Sequence, residues 1–246
     1  MTDLKNKTAI ITGSSRGLGK KTAIELAKSG ANLVINYHSN EEEARATVDE
    51  ILSNGGNAIA VKADVSKNEE VNHLFERTLE HFGKIDILVN NAGIMMTKFL
   101  KDFSEEDFEK QFSINVKSVF LMMKKASETI EPNGRIINIS SSTSRLMLPT
   151  YAIYSATKSA VEQMSRVFAK EIGSKGITVN SVLPGPIHTE LFLEGKSEEM
   201  IKRIAGLSAF NRIGEVEDIV PVILFLCSEE SQWITGQSIG INGGMA

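Results

Sequence analysis

Thr8-Ala9-Ile10-Ile11-Thr12-Gly13-Ser14-Ser15-Arg16-Gly17-Leu18-Gly19 is an apolar run that breaks into a glycine turn and then re-enters regular structure. The run has the composition of a buried strand. Gly17 to Ser29, closed by Gly30, has that of a helix. A strand, a glycine turn and a helix in this order can hold a diphosphate. Backbone N–H groups and the helix N-terminus face the anion, and glycine keeps side chains out of its path. The spacing is G-x-x-x-G-x-G rather than the commoner G-x-G-x-x-G. A tight strand-to-helix connection would use the same residues, but the place directly after the first strand favours a nucleotide. Gly13, Ser15, Arg16, Gly17, Leu18 and Gly19 are then its candidate contacts.

The rest of the chain repeats the alternation. Strands are expected at Leu33 to Asn36, Ala58 to Val61, Ile85 to Val89, Ile136 to Ile139, Ile177 to Val182 and Ser238 to Ile241. Helices are expected at Glu41 to Leu52, Glu69 to Phe82, Glu105 to Thr129, Ala152 to Ile172, Glu190 to Ala205 and Val216 to Leu226. Near-continuous apolar strands between helices predict an α/β, doubly wound parallel sheet covered on both faces. Such sheets bind ligands beyond the carboxyl ends of their strands, where strand order reverses.

The 246 residues are 41% hydrophobic and 24% charged, enough for a sizeable core, and no Pro-, Gly- or Ser-rich linker divides them. One domain over residues 1–246 is expected. The net charge of −4, with Lys and Arg scattered, gives no basic stripe for nucleic acid. No run of about eighteen apolar residues predicts a membrane helix, and the first residues resemble no signal peptide. The one cysteine, Cys227, follows Ile223 to Leu226 and reads as a buried helix residue. A lone thiol fits a reducing, cytoplasmic setting. No Cys/His spacing indicates a metal site.

Charge at the second strand bears on which nucleotide fits. An NAD site places an acidic residue about twenty residues beyond the turn, on the ribose 2′-hydroxyl. Here the stretch is Asn36-Tyr37-His38-Ser39-Asn40, without a carboxylate. That absence permits a 2′-phosphate, and Arg16 is placed to pair with it. NADP(H) is therefore favoured over NAD(H), with Tyr37, His38 and Ser39 beside it. Asp64-Val65 follows the third strand, where Asp64 either meets an adenine amino group or caps a helix. Asn90-Asn91-Ala92-Gly93 follows the fourth and either braces a cofactor or forms a turn. Asn115 interrupts a helical stretch, as a functional kink or a tolerated surface residue. Pro184-Gly185-Pro186, with Ile187 and Thr189 beyond, follows the sixth strand and can face a carboxamide. His188 reads as an exposed loop residue.

Tyr154 and Lys158 lie four residues apart, one turn on one helix face, with Ser140 to Ser142 upstream. An unperturbed phenol has a pKa of about 10. A neighbouring ammonium is expected to lower it by roughly one to three units, giving a proton donor and acceptor near neutral pH.

Thr12-Gly13-x-x-x-Gly17-x-Gly19, Asp64, Asn90-Asn91-Ala92-Gly93, Asn115, Ser141, Tyr154-x-x-x-Lys158 and Pro184-Gly185, in this order, resemble the short-chain dehydrogenase/reductase family over nearly the whole chain. The pattern is most similar to the family's 3-oxoacyl-(acyl carrier protein) reductases. The resemblance implies a single-domain Rossmann-type sheet of about seven strands and a catalytic set of Asn115, Ser141, Tyr154 and Lys158. Ser141 is preferred over its two neighbours because the family serine lies thirteen residues before the tyrosine. Tyr154 would protonate the carbonyl oxygen in reduction, with Ser141 donating to the same oxygen. Lys158 would tune the phenol and hold the nicotinamide ribose, and Asn115 would hold a relay water.

The resemblance also implies a homo-oligomer, commonly a homotetramer. Its carrier-protein reductases tend to carry basic residues ahead of the Gly-Arg-Ile-Ile strand. Here Glu128-Thr129-Ile130-Glu131-Pro132 is acidic, and Lys175 alone keeps a basic position. That counts against acyl carrier protein as a partner and for a small ketone or polyol. Residues 189–207 are expected to cover the substrate, with Leu146, Met147, Leu148, Met95 and Met96 opposite, although a packed surface helix would use the same residues. An alcohol, sugar or steroid dehydrogenase of the same fold is the alternative. A catalytically silent nucleotide-binding regulator is a further one, and the complete catalytic set argues against it.

Overall fold

Successive residues of a strand face opposite sides of a sheet, and here both sides are apolar. Ala9, Ile11, Leu33, Ile35, Ile87, Val89, Ile137 and Val182 are buried in one core. Ile10, Val34, Leu88, Ile136 and Val179 are buried in the other. The computed structural model describes residues 3–246. Its strands are β1 (Thr8–Ile11), β2 (Asn32–Tyr37), β3 (Asn57–Lys62), β4 (Ile87–Asn90), β5 (Arg135–Ile139), β6 (Thr178–Pro184) and β7 (Ser238–Ile241). They form one seven-stranded sheet in the order β3-β2-β1-β4-β5-β6-β7. Every pairing is parallel, with Ile11 level with Ile35 on one side and Val89 on the other.

Helices α1 (Gly17–Lys28), α2 (Glu41–Ser53) and α9 (Val216–Cys227) cover the first face. Helices α3 (Asn68–Phe82), α5 (Ser118–Thr129) and α6 (Ala152–Ile172) cover the second. The doubly wound Rossmann-type sheet is therefore present as expected. Strand order reverses between β1 and β4, so the crevice for a ligand opens above the glycine turn and Asn91. Cys227 is buried at the end of α9, and burial pushes its thiol up to about 12. Among the described residues no helix is long and apolar enough to cross a membrane.

Two helical stretches depart from expectation. Glu105 to Thr129 is not one regular helix. α4 (Glu105–Phe112) passes through a π turn at Ser113–Lys117 into α5, and Ser118 N–H donates to the Ser113 carbonyl. The wide turn carries Asn115 inward, where it is 1% exposed. Glu190 to Ala205 is also broken, into α7 (Glu190–Leu193) and α8 (Glu198–Ala205). Gly195 lies between them with φ +72°, and no residue of either helix is buried, so no core face holds one continuous helix together.

Candidate active site

The strand tips are tied together by side-chain amides before any ligand is considered. Thr12 Oγ1 accepts from the backbone N–H groups of Asn91 and Ala92, each at 2.9 Å. Asn91 Nδ2 returns bonds to the Thr12 and Gly13 carbonyls at 2.9 and 3.0 Å. Its side chain thus braces the turn after β1. Asn36, at the end of β2, does more than leave room for a phosphate. Its Oδ1 accepts from Gly13 N–H at 3.2 Å, and its Nδ2 donates to the Val61 and Ala63 carbonyls at 3.4 and 3.1 Å. One buried amide therefore links β2, β3 and the glycine turn. Replacing Asn36 with Ala strands those backbone groups and should cost about 2–3 kcal/mol. A thermal melt should then fall by about 5–10 °C. An unchanged melting temperature would show that the tie is dispensable.

The turn itself is a cradle. Gly13 and Gly17 have φ of +60° and +55°. A Cβ on Gly19 would lie 2.6 Å from both Asn91 Nδ2 and the Gly13 carbonyl oxygen. Above Gly17, a Cβ would meet nothing nearer than Thr189 Cγ2 at 4.0 Å. The floor is closed by backbone and the mouth is open, which fits a diphosphate at the start of α1.

The other expected cofactor contacts fall into two groups. Leu18, Tyr37, Val65 and Ile187 have side chains buried in the two cores. His38 and Ser39 are exposed. Asp64 Oδ1 accepts from the backbone and hydroxyl of Ser66 at 3.0 and 2.7 Å, so this carboxylate holds its own turn. Burial raises the Asp64 pKa, but those hydrogen bonds outweigh it and leave the carboxyl below its ordinary value. Its second oxygen stands 3.9 Å from His38 Nε2. Ser15 Oγ donates to Glu43 at 3.5 Å, and Arg16 Nη1 to Glu190 Oε2 at 3.1 Å. Pro184 ends β6. Gly185 passes so close to Asn242 that a Cβ would lie 2.9 Å from its Cα.

Asn115 and Lys158 meet beside Gly93, Lys158 Nζ lies by the Tyr154 ring, and Ser141 is near the Tyr154 phenol. A Cβ on Gly93 would lie 3.3 Å from Asn115 Oδ1 and 3.6 Å from Lys158 Nζ. The three serines divide. Ser140 Oγ bonds Glu162 Oε1 at 2.9 Å and the Lys158 carbonyl at 3.2 Å. Ser142 Oγ donates to the Leu183 carbonyl and accepts from Asn242 Nδ2, at 3.1 and 3.0 Å. Ser141 Oγ accepts from Thr143 N–H and Oγ1 at 3.2 and 3.1 Å, and it lies close enough to the Tyr154 phenol to favour its ionised form.

One expectation about roles needs correcting. Lys158 does not draw the phenol down here. Burial pushes Tyr154 up to about 12, against the lowering influence of Ser141, and burial pushes Lys158 down to about 8. Lys158 Nζ donates to the Ile139 carbonyl at 2.8 Å and lies 5.7 Å from the Tyr154 ring centroid. The Asn115 carboxamide is engaged by the fold. Its Oδ1 accepts from Ile94 N–H at 2.9 Å, and its Nδ2 donates to the Ile94 carbonyl at 2.9 Å and Thr157 Oγ1 at 3.1 Å. It pins the segment after β4 to α6.

Sequence reasoning missed Asn36, Glu162, Asn242 and Gln111. Gln111 Oε1 accepts from Met96 N–H at 2.6 Å, while its buried Nε2 has no partner. A polar residue inside an apolar pattern was the available signal for Asn36; the others carry none.

With this geometry in place, likenesses to known proteins can be set beside it. The family described as Enoyl-(Acyl carrier protein) reductase matches residues 13–246. An NADPH-dependent aldehyde reductase-like protein, chloroplastic, of Arabidopsis thaliana is 42% identical over 98% of this chain and 94% of its own length. A short-chain dehydrogenase/reductase from Serratia marcescens superposes with a TM-score of 0.94 at 32% identity, covering 98% of each chain. The angucycline C-6 ketoreductase LanV, solved with bound NADP, superposes at 0.93 and 36% identity over 99% of this chain and 97% of that one.

Proposed function

We propose, because this chain belongs to the short-chain dehydrogenase/reductase family, that it is an NADPH-dependent carbonyl reductase acting on ketones or aldehydes. One observation carries the reading. The Tyr154 phenol is buried and held protonated beside Ser141, on the side of the crevice where Gly93 keeps the approach to Lys158 open. The NADPH-dependent relative and the NADP bound to LanV support the choice of cofactor.

The residues present suit that cofactor. The glycine turn would hold the diphosphate, Arg16 the 2′-phosphate, and the 184–189 segment the nicotinamide end. When bound, the nicotinamide supplies a hydride to the carbonyl carbon. Tyr154 O–H gives its proton to the carbonyl oxygen as charge builds there, and Ser141 O–H donates a second hydrogen bond to that oxygen. A phenol raised by burial stays protonated at neutral pH, which suits it to donating. Asn115 fixes the Ile94 backbone against Thr157 and so sets the wall beside Lys158.

The substrate lies beneath residues 189–207. Leu191 and Met200 there, and Met147 across the crevice, are exposed, and Leu146 and Leu148 are half-buried. These side chains favour an apolar carbonyl compound over a polyol. Glu128 and Glu131, both exposed and acidic, support a free substrate over one carried on an acidic protein. One domain of the cytoplasm and a tetramer built on α5 and α6 complete the reading. Phe120 and Val167 on those helices are exposed at 48% and 49%, and light scattering on the purified protein checks the assembly.

The test follows NADPH consumption against aldehydes, aliphatic and aromatic ketones, 3-oxoacyl thioesters and enoyl thioesters. Turnover is expected on the free carbonyl compounds. Consumption with enoyl thioesters alone would overturn carbonyl reduction, and consumption with 3-oxoacyl thioesters alone would restore a carrier-bound substrate.

A further inference from the structure

Residues 190–207 cross the carboxyl edge of the sheet as α7 and α8. No residue of either helix is buried, so little apolar area holds this segment down. Its polar bonds are mostly internal. Thr189 caps Phe192 N–H, Ser197 caps Met200 N–H, and Lys196 Nζ donates to the Phe192 carbonyl. Among the described residues, one ion pair joins it to the rest of the fold, between Arg16 Nη1 and Glu190 Oε2 at 3.1 Å. The two side chains are 65% and 76% exposed, so neither is fixed to its partner by packing.

We propose that Glu190 and the 2′-phosphate of NADP(H) exchange on Arg16, so that Glu190 sets cofactor preference and latches the segment over the substrate site. The inference rests on the NADPH reading above. A guanidinium presents one planar fork, and it binds a carboxylate or a phosphate in the same bidentate manner. The phosphate carries up to about two negative charges at neutral pH, against one on Glu190, and it is the stronger partner. Its arrival takes Arg16 from Glu190, and the segment loses its one charged tie. NADH has no group to compete, so Glu190 stays in place. The carboxylate therefore opposes NADPH binding and leaves NADH binding alone.

Dissociation constants for NADPH and NADH in wild type, Glu190→Gln, Arg16→Ala and the double variant test this. Glu190→Gln should bind NADPH about two- to fivefold tighter at low salt and less so at high salt, as an exposed pair requires. Its NADH affinity should stay within about twofold, and the NADPH gain should vanish in the Arg16→Ala background. Adenosine 2′,5′-bisphosphate, which carries the phosphate without a nicotinamide, should speed amide hydrogen exchange across 190–205 in the wild type. 5′-AMP should not, and Glu190→Gln should exchange fast with neither. NADPH affinity unmoved by Glu190→Gln, or moved equally without Arg16, overturns the exchange. So does an Arg16→Ala variant that binds NADPH as wild type, although the reductase reading then stands. Binding of neither dinucleotide by the wild type removes the reductase reading itself.

Discussion

Tyr154→Phe is expected to cut carbonyl reduction about 10³-fold while NADPH binds within about twofold of wild type. The size follows from losing a positioned general acid, worth about 10²–10⁴. The substitution removes one oxygen from a residue only 8% exposed, so the ring and its edge contact with Tyr151, at 6.3 Å between centroids, persist. Binding should survive because the diphosphate cradle lies at the end of β1, on the far side of β4. Turnover within tenfold of wild type would take the acid role away from Tyr154. A loss of NADPH affinity matching the loss of turnover would instead make it a binding residue.

Lys158→Met should lower turnover by a comparable factor, about 10²–10⁴, and yet flatten the pH dependence of stability. The folded pKa of Lys158 is about 8, down from its ordinary 10.5, because burial disfavours the ammonium. Between those values the unfolded chain still holds a proton that the folded chain has released, so stability rises with pH across the window. The gain is about 3 kcal/mol as an order of magnitude. The methionine variant has no such titration. Cys227, raised from 9.0 to about 12, works in the opposite sense above pH 9, but it is common to both proteins. The difference between their urea stabilities, measured without cofactor at pH 7, 8, 9 and 10, therefore isolates Lys158. Parallel curves would mean that Lys158 titrates normally in the folded chain. At pH 7 the variant loses a buried charge but leaves the Ile139 carbonyl without its donor, so the two effects offset.

The sheet was legible because its central strands are short, mostly apolar runs between turn residues, as strands buried on both faces require. Their ends moved by a residue or two: β2 reaches Tyr37 and β6 reaches Pro184, where backbone bonds to the neighbouring strands rather than apolar pattern decide. The glycine turn was legible because its spacing is local. The π turn was legible only as one of two readings of Asn115, because the bonds that accompany it run from Asn115 to Ile94, twenty-one residues away. The break between α7 and α8 was hidden for the opposite reason, since a segment without buried residues leaves no periodicity to interrupt. Tyr154 and Lys158 announced their proximity through a four-residue spacing. The direction of their pKa shifts did not follow from it, because burial belongs to the assembled fold and here outweighs the neighbouring charge.

Asn36 has a consequence for how such a protein can be retargeted. The tip of the second strand is where a carboxylate would convert a phosphate-accepting pocket into one for an unphosphorylated ribose. At position 36 that route is closed. An aspartate there keeps the acceptor for Gly13 but loses both donors to β3, and it places a charge where 2% of the side chain meets solvent. Lineages and designers alike must change cofactor preference two or three residues later, at exposed His38 and Ser39. Adaptability here begins where the strand's last structural bond ends.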